Sequence, residues 1–552
     1  MRQKSSSSSE SVDRIKVFAF SALLGAFLFI LIYGPYVLNP FYDAWIFQAG
    51  ERDLVQHYLG FCMYRSSPWQ FPIGIVTTAS YPHDMSVIYT DAIPLFAFPG
   101  KLLDPLLPRV FQYLGIYGML SMALTGGMGS LIIYEYIKRI KPSLIASAFY
   151  SLSWVMLYRM FYHTSLTSHW LILAGFYLWI RLDLRSNVMK NCLIYAAFST
   201  IAILIHPYIW AMCGGIAFMS FIEYLTEYKD LRRTILYGAV YCMTGAACLY
   251  VFGAFAVGRG MSLGAGSYEA NLNTLFNSMG IAILPGLPVA LLQYEGFGYL
   301  GFGVLLLVAV SVCLALWKRI RPVISLRRKL MVITALCFLA FSIIPEISWG
   351  KKVLVKIDLG RFFGTFVGIF RSNGRFIWPV CYMILSCVII FLFRHMKERT
   401  LVILLSVCLF LQLADMLPYL LERHIRFARG DYEYTGIFDG NEALDDVIGR
   451  YDHIVMDIED GAVDQYLSYY AYLHDMTTND FYYARPIGNK VQNTLEALRY
   501  DMENGIYDDS LLYVLGKDKL ALYRGLDLHF YEIKGRYIAS HEPIEGMQEA
   551  EV

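Results

Sequence analysis

Hydrophobic runs of about 20 residues recur along the first three quarters of the chain, and segments of mixed polarity and variable length separate them. A run of this length is sufficient to cross the hydrocarbon core of a bilayer as a helix. The chain contains eleven such runs, and we predict a membrane-spanning helix from each. The predicted spans start near Lys16, Tyr113, Pro142, His169, Asn191, Tyr208, Thr234, Gly301, Leu330, Phe376 and Leu401.

The distribution of lysine and arginine predicts how these spans are oriented. Basic residues concentrate at the N-terminus and in short segments after alternate spans, such as residues 138–141 and 318–329. Because short cytoplasmic segments carry an excess of basic residues, we predict a cytoplasmic N-terminus. Eleven spans then place the C-terminus outside. Three long segments, residues 37–112, 256–299 and 345–375, would lie on that outer side.

The first outside segment, residues 37–112, is far longer than an ordinary connection of about 4–6 residues, and such loops are usually functional or separately structured. Residues 43–64 within it have the spacing of an amphipathic helix lying along the membrane surface. The apolar stripe of that helix would consist of Trp45, Phe47, Leu54, Tyr58 and Phe61.

The pattern changes after residue 421. Residues 422–552 hold 12 basic and 26 acidic residues, with no cysteine and no apolar run long enough to span a membrane. Short apolar and amphipathic stretches predict strands at 453–457, 510–515 and 520–523 and a helix at 493–504. The predicted fold class is a polytopic α-helical membrane domain over residues 1–421, followed by an extracytoplasmic soluble α/β domain over residues 422–552.

Composition excludes several other classes of protein. Hydrophobic residues make up 57% of the chain and charged residues only 16%, whereas soluble domains carry about 25% charged residues. A coiled coil, a disordered scaffold and a free-standing nucleic-acid-binding domain are excluded, so we expect no nucleic-acid partner. The ten cysteines form no CxxC or CxxH spacing, which argues against a zinc site or a disulfide framework.

The first outside segment holds the strongest candidates for acid–base chemistry. Asp53 and His57 are four residues apart, so a helix places them on one face, with Gln56 beside them. A carboxylate supported by His57 or Arg52 is suited to accept a proton from a sugar hydroxyl. The alternative interpretation is the polar face of an interfacial helix in contact with water or lipid headgroups. Asp43 is a second candidate carboxylate in the same segment.

Two further polar residues stand in apolar surroundings near the predicted outer face. Asp91 either serves a functional site or caps a helix beginning at Ala92, with Pro94 in its first turn. His206 lies at the turn between two predicted spans, where either it contacts substrate or Pro207 simply begins the next helix beside it.

The third outside segment contains Arg361, Arg371 and Arg375. The planar guanidinium group offers paired donors that suit a phosphate. The alternative is ordinary contact with lipid headgroups at a helix end. Because basic residues at an outer end run against the cytoplasmic bias, we favour phosphate binding.

With these residues in view, the chain resembles a GT-C-type membrane glycosyltransferase, and within that class an uncharacterised family of bacterial multi-spanning membrane proteins. The resemblance covers residues 15–420 in organisation and rests on four segments. These are ERDLVQHYLGFCMYRSSPWQFPIG, VIYTDAIPLFAFPGKLLDPLLPRVFQYLG, HPYIWAM and FRSNGRFIWPVCY.

The resemblance implies an enzyme that takes a sugar from a polyprenyl-phosphate carrier at the outer membrane face. It also implies a catalytic acid in the first outside segment, which we assign to Asp53, with Asp43 as the rival. Arg52 stands where several GT-C branches have a second acid, so a metal is not expected and no cofactor is predicted. Arg371 and Arg375 would then hold the leaving phosphate, with Arg361 nearby.

The predicted function is therefore inverting transfer of a sugar from a polyprenyl-phosphate donor to a glycan or glycolipid of the bacterial cell envelope. The predicted partners are membrane lipid, the lipid-linked sugar and the envelope acceptor, and the predicted location is the cytoplasmic membrane. One alternative is a polysaccharide polymerase or ligase with a diphosphate-linked donor. Another is a lipid or glycan transporter, for which Asp415 would be a mid-membrane acid.

Overall fold

The computed structural model describes residues 2–50, 52–257, 268–321, 325–458, 463–481 and 489–550. The α-helices are α1 (Arg2–Tyr33), α2 (Ala44–Gln48), α3 (Arg52–Ser66), α4 (Pro94–Leu102), α5 (Leu114–Ile137), α6 (Ile140–Ser151), α7 (Trp154–Leu157), α8 (Trp170–Arg181), α9 (Val188–Ile205), α10 (Pro207–Tyr228), α11 (Leu231–Val251), α12 (Phe302–Trp317), α13 (Leu326–Ile343), α14 (Gly360–Ile369), α15 (Trp378–His395), α16 (Glu398–Phe427), α17 (Glu442–Val447), α18 (Val463–Leu473) and α19 (Lys490–Glu503). The strands are β1 (Ile75–Val76), β2 (Met85–Ser86), β3 (Glu346–Trp349), β4 (Lys352–Lys356), β5 (His453–Asp457), β6 (Thr477–Thr478), β7 (Leu511–Leu515), β8 (His529–Ile533) and β9 (Arg536–Ser540).

These elements form two compact units. The first comprises Met1–Asn39, Leu114–Gly245 and Ser262–Gly430. The second comprises Pro40–Tyr113, Ala246–Met261 and Asp431–Val552. The second unit thus combines most of the first outside segment with the acidic C-terminal residues. The division of the chain at residue 421 stays a prediction.

Each of the eleven predicted spans falls on a helix, and eight helices in the described part of the chain are long and apolar enough to cross a membrane. The other three predicted spans correspond to α8, α12 and α13. α8 has 12 residues and α12 has 16, which is short for a full span. α13 carries three basic residues in its first turn, Arg327, Arg328 and Lys329. The membrane class is supported, whereas the count of eleven is not.

Small residues allow the membrane helices of the first unit to approach closely. Gly129 of α5 lies against the ring of Tyr150 on α6, where an added Cβ would overlap the ring. Membrane helices use such small residues because lipid offers no hydrophobic force to hold them together. The same unit joins the predicted second and third outside segments, since the Asn271 amide donates to the carbonyl of Gly350 at 2.8 Å.

The first outside segment does not form the single helix predicted over residues 43–64. α2 ends at Gln48 and α3 begins at Arg52. Gly50 between them lies against the carbonyl oxygen of Ile46, where a Cβ would overlap. The five residues of the predicted apolar stripe are buried, but so is every residue of α3 from Leu54 to Arg65. α3 is therefore an internal helix of the second unit and not an amphipathic helix on the membrane surface.

The C-terminal residues form the small α/β structure predicted for them. Their sheet has the strand order β6-β5-β7-β9-β8, with β5 parallel to β6 and β7. Alternate residues of β5 and β7 enter apolar clusters on opposite faces of the sheet, as the period of two in a strand requires. The predicted strands at 453–457 and 510–515 and the helix at 493–504 are confirmed. The strand at 520–523 is wrong, because Leu520–Leu522 is a 3-10 helix.

Candidate functional site

Asp53 lies in the first turn of α3, where the positive end of the helix dipole favours a carboxylate. Its side chain is half-buried and therefore retains access to solvent. His57, one turn further along, is fully buried, and Gln56 is 2% exposed. The helix places all three side chains on neighbouring positions of one face, as their spacing predicted.

Gln56 is informative because its amide nitrogen is buried without a hydrogen-bond partner among the described residues. Buried polar groups are nearly always satisfied, so an unsatisfied buried donor indicates a position that a ligand or water occupies. α3 thus places the solvent-accessible carboxylate of Asp53 near the buried amide nitrogen of Gln56, which can donate a further hydrogen bond.

Arg52 precedes this group and has an exposed side chain. Its carbonyl oxygen accepts a hydrogen bond of 2.7 Å from the amide of Gln465 on α18, which fixes the start of α3. Asp480 belongs to the same electrostatic environment. Burial raises the pKa of Asp480, and the positive charge of Arg52 partly offsets that rise. Sequence reasoning missed Asp480, since nothing local to it indicates a position close to Arg52.

Asp43, the rival carboxylate, is buried and occupied. One of its oxygens accepts hydrogen bonds from the hydroxyls of Tyr58, at 2.8 Å, and of Tyr469 on α18. Burial raises the pKa of both tyrosines, and the nearby Asp43 carboxylate raises it further. The tyrosines therefore remain protonated donors. Asp43 ties α2, α3 and α18 together and is enclosed by these contacts, whereas Asp53 keeps access to solvent.

Asp91 does not cap a helix beginning at Ala92, so the capping interpretation of this residue is wrong. α4 begins at Pro94, and Ile93 occupies the position before it. Both Asp91 and Ile93 have left-handed backbone conformations, with φ of 56° and 54°. A non-glycine residue with positive φ is strained and is held there by its surroundings. The half-buried Asp91 thus lies in a constrained turn outside the helix.

His206 is the N-cap residue of α10, and its Nδ1 accepts a hydrogen bond of 3.1 Å from the backbone N–H of Tyr208. Pro207 begins the helix, as one of the two sequence interpretations stated. The imidazole is buried and its ring contacts that of Tyr208. His206 therefore has a structural role, since it caps the N-terminus of α10.

Arg375 is buried in the first unit and pairs with a carboxylate of the protein itself. Its Nε lies 2.7 Å from an oxygen of Glu295, and Nη2 of Arg159 lies 3.0 Å from the same oxygen. Burial alone would raise the pKa of Glu295, but the two guanidinium groups outweigh it and hold that pKa well below its usual range. The positive charge of Arg375, which the sequence pattern predicts to bind a phosphate, is thus already paired with the carboxylate of Glu295.

Arg159 is a residue that sequence reasoning missed. It is fully buried, and its Nε and Nη1 have no hydrogen-bond partner in the described part of the chain. The signal was present, because an arginine in the apolar stretch SLSWVMLYRMFYH is costly without a partner or a function. One carboxylate between two arginines leaves this buried group with a net positive charge.

Arg371 and Arg361 differ from Arg375. Arg371 is half-buried, with its guanidinium 5.9 Å from the centre of the Tyr268 ring, and Arg361 is exposed on α14. Neither has an ion pair with a carboxylate within the described residues. Of the three predicted phosphate ligands, Arg371 is therefore the one that is half-buried and whose charge is not paired with a carboxylate of the described residues.

Asp415, the acid considered for a transporter, is fully engaged. Its carboxylate accepts hydrogen bonds from the Tyr299 hydroxyl at 2.8 Å and from the backbone N–H groups of Leu284 and Phe302. It fastens the second outside segment to α16, so its position does not favour a transported ion.

One cluster among the described residues has donor atoms spaced for a metal ion, namely Asp509, His541 and Glu542 near the C-terminal sheet. None of the predicted site residues belongs to it. The expectation that no metal or other cofactor takes part stays a prediction.

Comparison with known proteins gives a family match over most of the chain. Residues 22–417 match the family described as Domain of unknown function (DUF6311), and residues 443–541 match the DUF6311 C-terminal domain. Among solved structures, the chain is similar to the apo form of the oligosaccharyltransferase of Archaeoglobus fulgidus. That match has 11% identity and a TM-score of 0.40, and it covers 97% of this chain and 76% of the other. No curated protein matches the sequence.

Proposed function

The chain belongs to the DUF6311 family, whose description assigns no activity. From its resemblance to GT-C glycosyltransferases and from its own residues, we propose inverting glycosyl transfer from a polyprenyl-phosphate donor to a cell-envelope glycan or glycolipid. The observation that carries this proposal is the group on α3. There the accessible carboxylate of Asp53 stands beside His57 and beside the unsatisfied donor of Gln56.

The proposed reaction needs one base and no acid. The acceptor hydroxyl oxygen attacks the anomeric carbon of the donor sugar, and the bond from that carbon to the phosphate oxygen breaks. The electron pair leaves with the polyprenyl phosphate, which is already a stable anion. The proton of the hydroxyl passes to Asp53. A hydrolase of an ordinary glycosidic bond would need two carboxylates, because its leaving group must be protonated.

Gln56 and His57 have positioning roles in this proposal. The Gln56 amide would donate to a hydroxyl of the bound sugar, which satisfies the buried nitrogen. His57, buried one turn behind Asp53, would orient the carboxylate. Arg52 and Asp91, in the same outside segment, would contribute to binding the substrate. His206 would contribute indirectly, by fixing the start of α10.

The leaving phosphate requires positive charge, and Arg371 supplies it in this proposal. We assign the buried pair of Arg375 and Glu295 to positioning, since that arginine is already engaged by a carboxylate. The lipid tail needs only apolar surface, which the membrane helices provide.

Replacing Arg371 with alanine is expected to weaken donor binding by about ten- to a hundredfold, because a charge-assisted hydrogen bond contributes about 1.5–3 kcal/mol. Lysine at this position should restore only part of the affinity, since it lacks the paired donors of the guanidinium. The measurement is the KM for the polyprenyl-phosphate sugar at matched amounts of folded protein. An unchanged KM in Arg371→Ala would remove this residue from the donor site.

Arg375→Ala is the contrasting variant. It breaks a buried ion pair, so we expect a lower yield of folded protein, whereas Arg371→Ala should fold normally. Equal yields for the two variants would contradict the difference in roles.

The proposed orientation places the C-terminal residues outside the cytoplasm, where the acceptor would be met. A reporter active only in the cytoplasm should be silent when fused after Val552 and active when fused after Lys138, in a predicted cytoplasmic turn. An active fusion after Val552 would mean that the number of spans is even, and it would exclude an extracytoplasmic acceptor-binding role for these residues.

The activity itself is tested with the full chain in lipid vesicles and a radiolabelled polyprenyl-phosphate sugar, with an envelope extract as acceptor. We expect label in the glycan fraction together with one released polyprenyl phosphate per sugar transferred. Transfer only from a diphosphate-linked donor would instead identify a polymerase or ligase. Movement of intact lipid across the vesicle without transfer would identify a transporter.

A further inference from the structure

A large apolar cavity lies in the first unit, toward the end of α15 at His395. It has a volume of about 730 Å³, and α5, α8, α12, α13 and α15 supply its walls. Ile132, Phe176, Met383, Ile390 and Phe391 are among the apolar side chains that line it. A cavity of this size falls in the range that holds small-molecule or lipid ligands.

Three arginines surround one end of this cavity. Arg321 follows the end of α12, Arg328 lies in the first turn of α13, and Arg394 lies in the last turn of α15. Within the described residues, Arg321 and Arg394 have no carboxylate partner. A strongly apolar cavity with a cationic rim is complementary to a molecule with a hydrocarbon tail and an anionic head.

The cavity is separate from the proposed donor site. α15 begins at Trp378, three residues after Arg375, and ends at His395 beside the arginine rim. With 1.5 Å per residue, the two ends of this helix are about 26 Å apart. A phosphate bound at Arg371 or Arg375 cannot also contact Arg394.

The depth of the cavity indicates the kind of tail it accepts. Its lining residues on α15 run from Met383 to His395, which corresponds to about 18 Å along the helix. This is about half of the 30 Å hydrocarbon core of a bilayer, and so about the depth of one leaflet. An acyl chain of a membrane phospholipid has this reach, whereas a long polyprenyl tail exceeds it.

We propose that the cavity binds one anionic phospholipid, with the headgroup phosphate at Arg321 and Arg394 and an acyl chain in the apolar slot. The lipid would occupy the leaflet at the basic end of the helices, opposite the outside segments. It would fill the space between α5, α8, α12 and α15 and hold the bundle together at that end.

The test uses the full chain reconstituted in phosphatidylcholine vesicles with a minor fraction of phosphatidylglycerol. The protein is extracted in mild detergent and the retained phospholipid is identified by mass spectrometry. We expect preferential retention of phosphatidylglycerol. Arg321→Gln and Arg394→Gln should each reduce it about fivefold, and the double variant about 25-fold, given the contribution of one basic residue near a lipid surface.

Three further variants separate charge, space and nonspecific effects. The double lysine variant keeps both charges and should retain most of the lipid. Cys387→Trp fills the slot without a change of charge and should lose the lipid. Arg399→Gln removes an exposed charge outside the cavity and should have no effect. Equal retention of the two phospholipids, or undiminished retention in the double glutamine variant, would overturn the proposal. Retention of added polyprenyl phosphate in place of phosphatidylglycerol would do so too.

Discussion

Asp53→Asn is expected to reduce glycosyl transfer by about 10²–10⁴-fold, the usual contribution of a positioned general base. The amide keeps the shape of the side chain and one acceptor oxygen, but it cannot accept the proton of the attacking hydroxyl. Donor binding and the amount of folded protein should be nearly unchanged, because Asp53 is only half-buried and asparagine has almost the same size and shape. The measurement is kcat with the lipid-linked donor beside a direct binding assay.

Asp43→Asn is the matched control, with the same chemical change at the other carboxylate of this segment. An asparagine oxygen can still accept from Tyr58 and Tyr469, so we expect a moderate loss of thermal stability and a much smaller change in kcat. Near-normal turnover in Asp53→Asn would reject the base assignment. A collapse confined to Asp43→Asn would transfer that assignment to Asp43.

The membrane helices were the most predictable part of this chain, and the reason is physical. A bilayer imposes one length and one composition on each span, so both are visible in a local window of sequence. α8 and α12 are exceptions: α8 has only 12 residues and is bounded by polar residues, and the apolar run of α12 begins before the helix itself. The run near His169 is apolar, yet His169 and the residues before it form turns that pack inside the first unit.

The first outside segment shows where periodicity is insufficient. Helical spacing continues through residues 43–64, but Gly50 approaches Ile46 too closely for any side chain, and the helix is interrupted there. Burial was also underestimated. A helix with polar residues on one face suggests a surface position, whereas Gln56 and His57 are enclosed by the second unit. The spacing of Asp53, Gln56 and His57 survives because it is local to α3.

Contacts between distant parts of the chain were not predictable from sequence pattern. The partners of Asp43 include Tyr469, and the partners of Glu295 are Arg159 and Arg375. Each residue type was visible in the sequence, but no spacing relates residues that only folding brings together. For this reason the sequence pattern predicts only phosphate binding for Arg375 and predicts no role for Arg159.

Glu295→Gln is expected to be the most destabilising conservative change in the first unit. It leaves Arg159 and Arg375 buried with no compensating charge, and breaking a buried ion pair in this way costs about 3–5 kcal/mol. We expect a large fall in the midpoint of thermal unfolding in detergent. Glu346→Gln is the control, since its partner Lys356 is exposed to solvent and an exposed ion pair contributes little to stability.

The stability that Glu295 provides should also depend on pH in a defined direction. Its pKa is lower in the folded protein than in the unfolded chain, so its contribution is fully present above the usual glutamate pKa, about 4.3, and declines as the pH falls below that value. The wild-type protein should therefore lose stability below about pH 4 more steeply than Glu295→Gln, which has no carboxyl to protonate. Parallel curves for the two proteins would mean that folding does not change the pKa of Glu295. Replacing all members of a buried ionic group is often tolerated better than removing one. A triple variant, Arg159→Met, Glu295→Leu and Arg375→Met, should therefore regain the stability that Glu295→Gln loses, but it should not regain activity. That result would separate the role of these three residues in folding from their role in positioning Arg371.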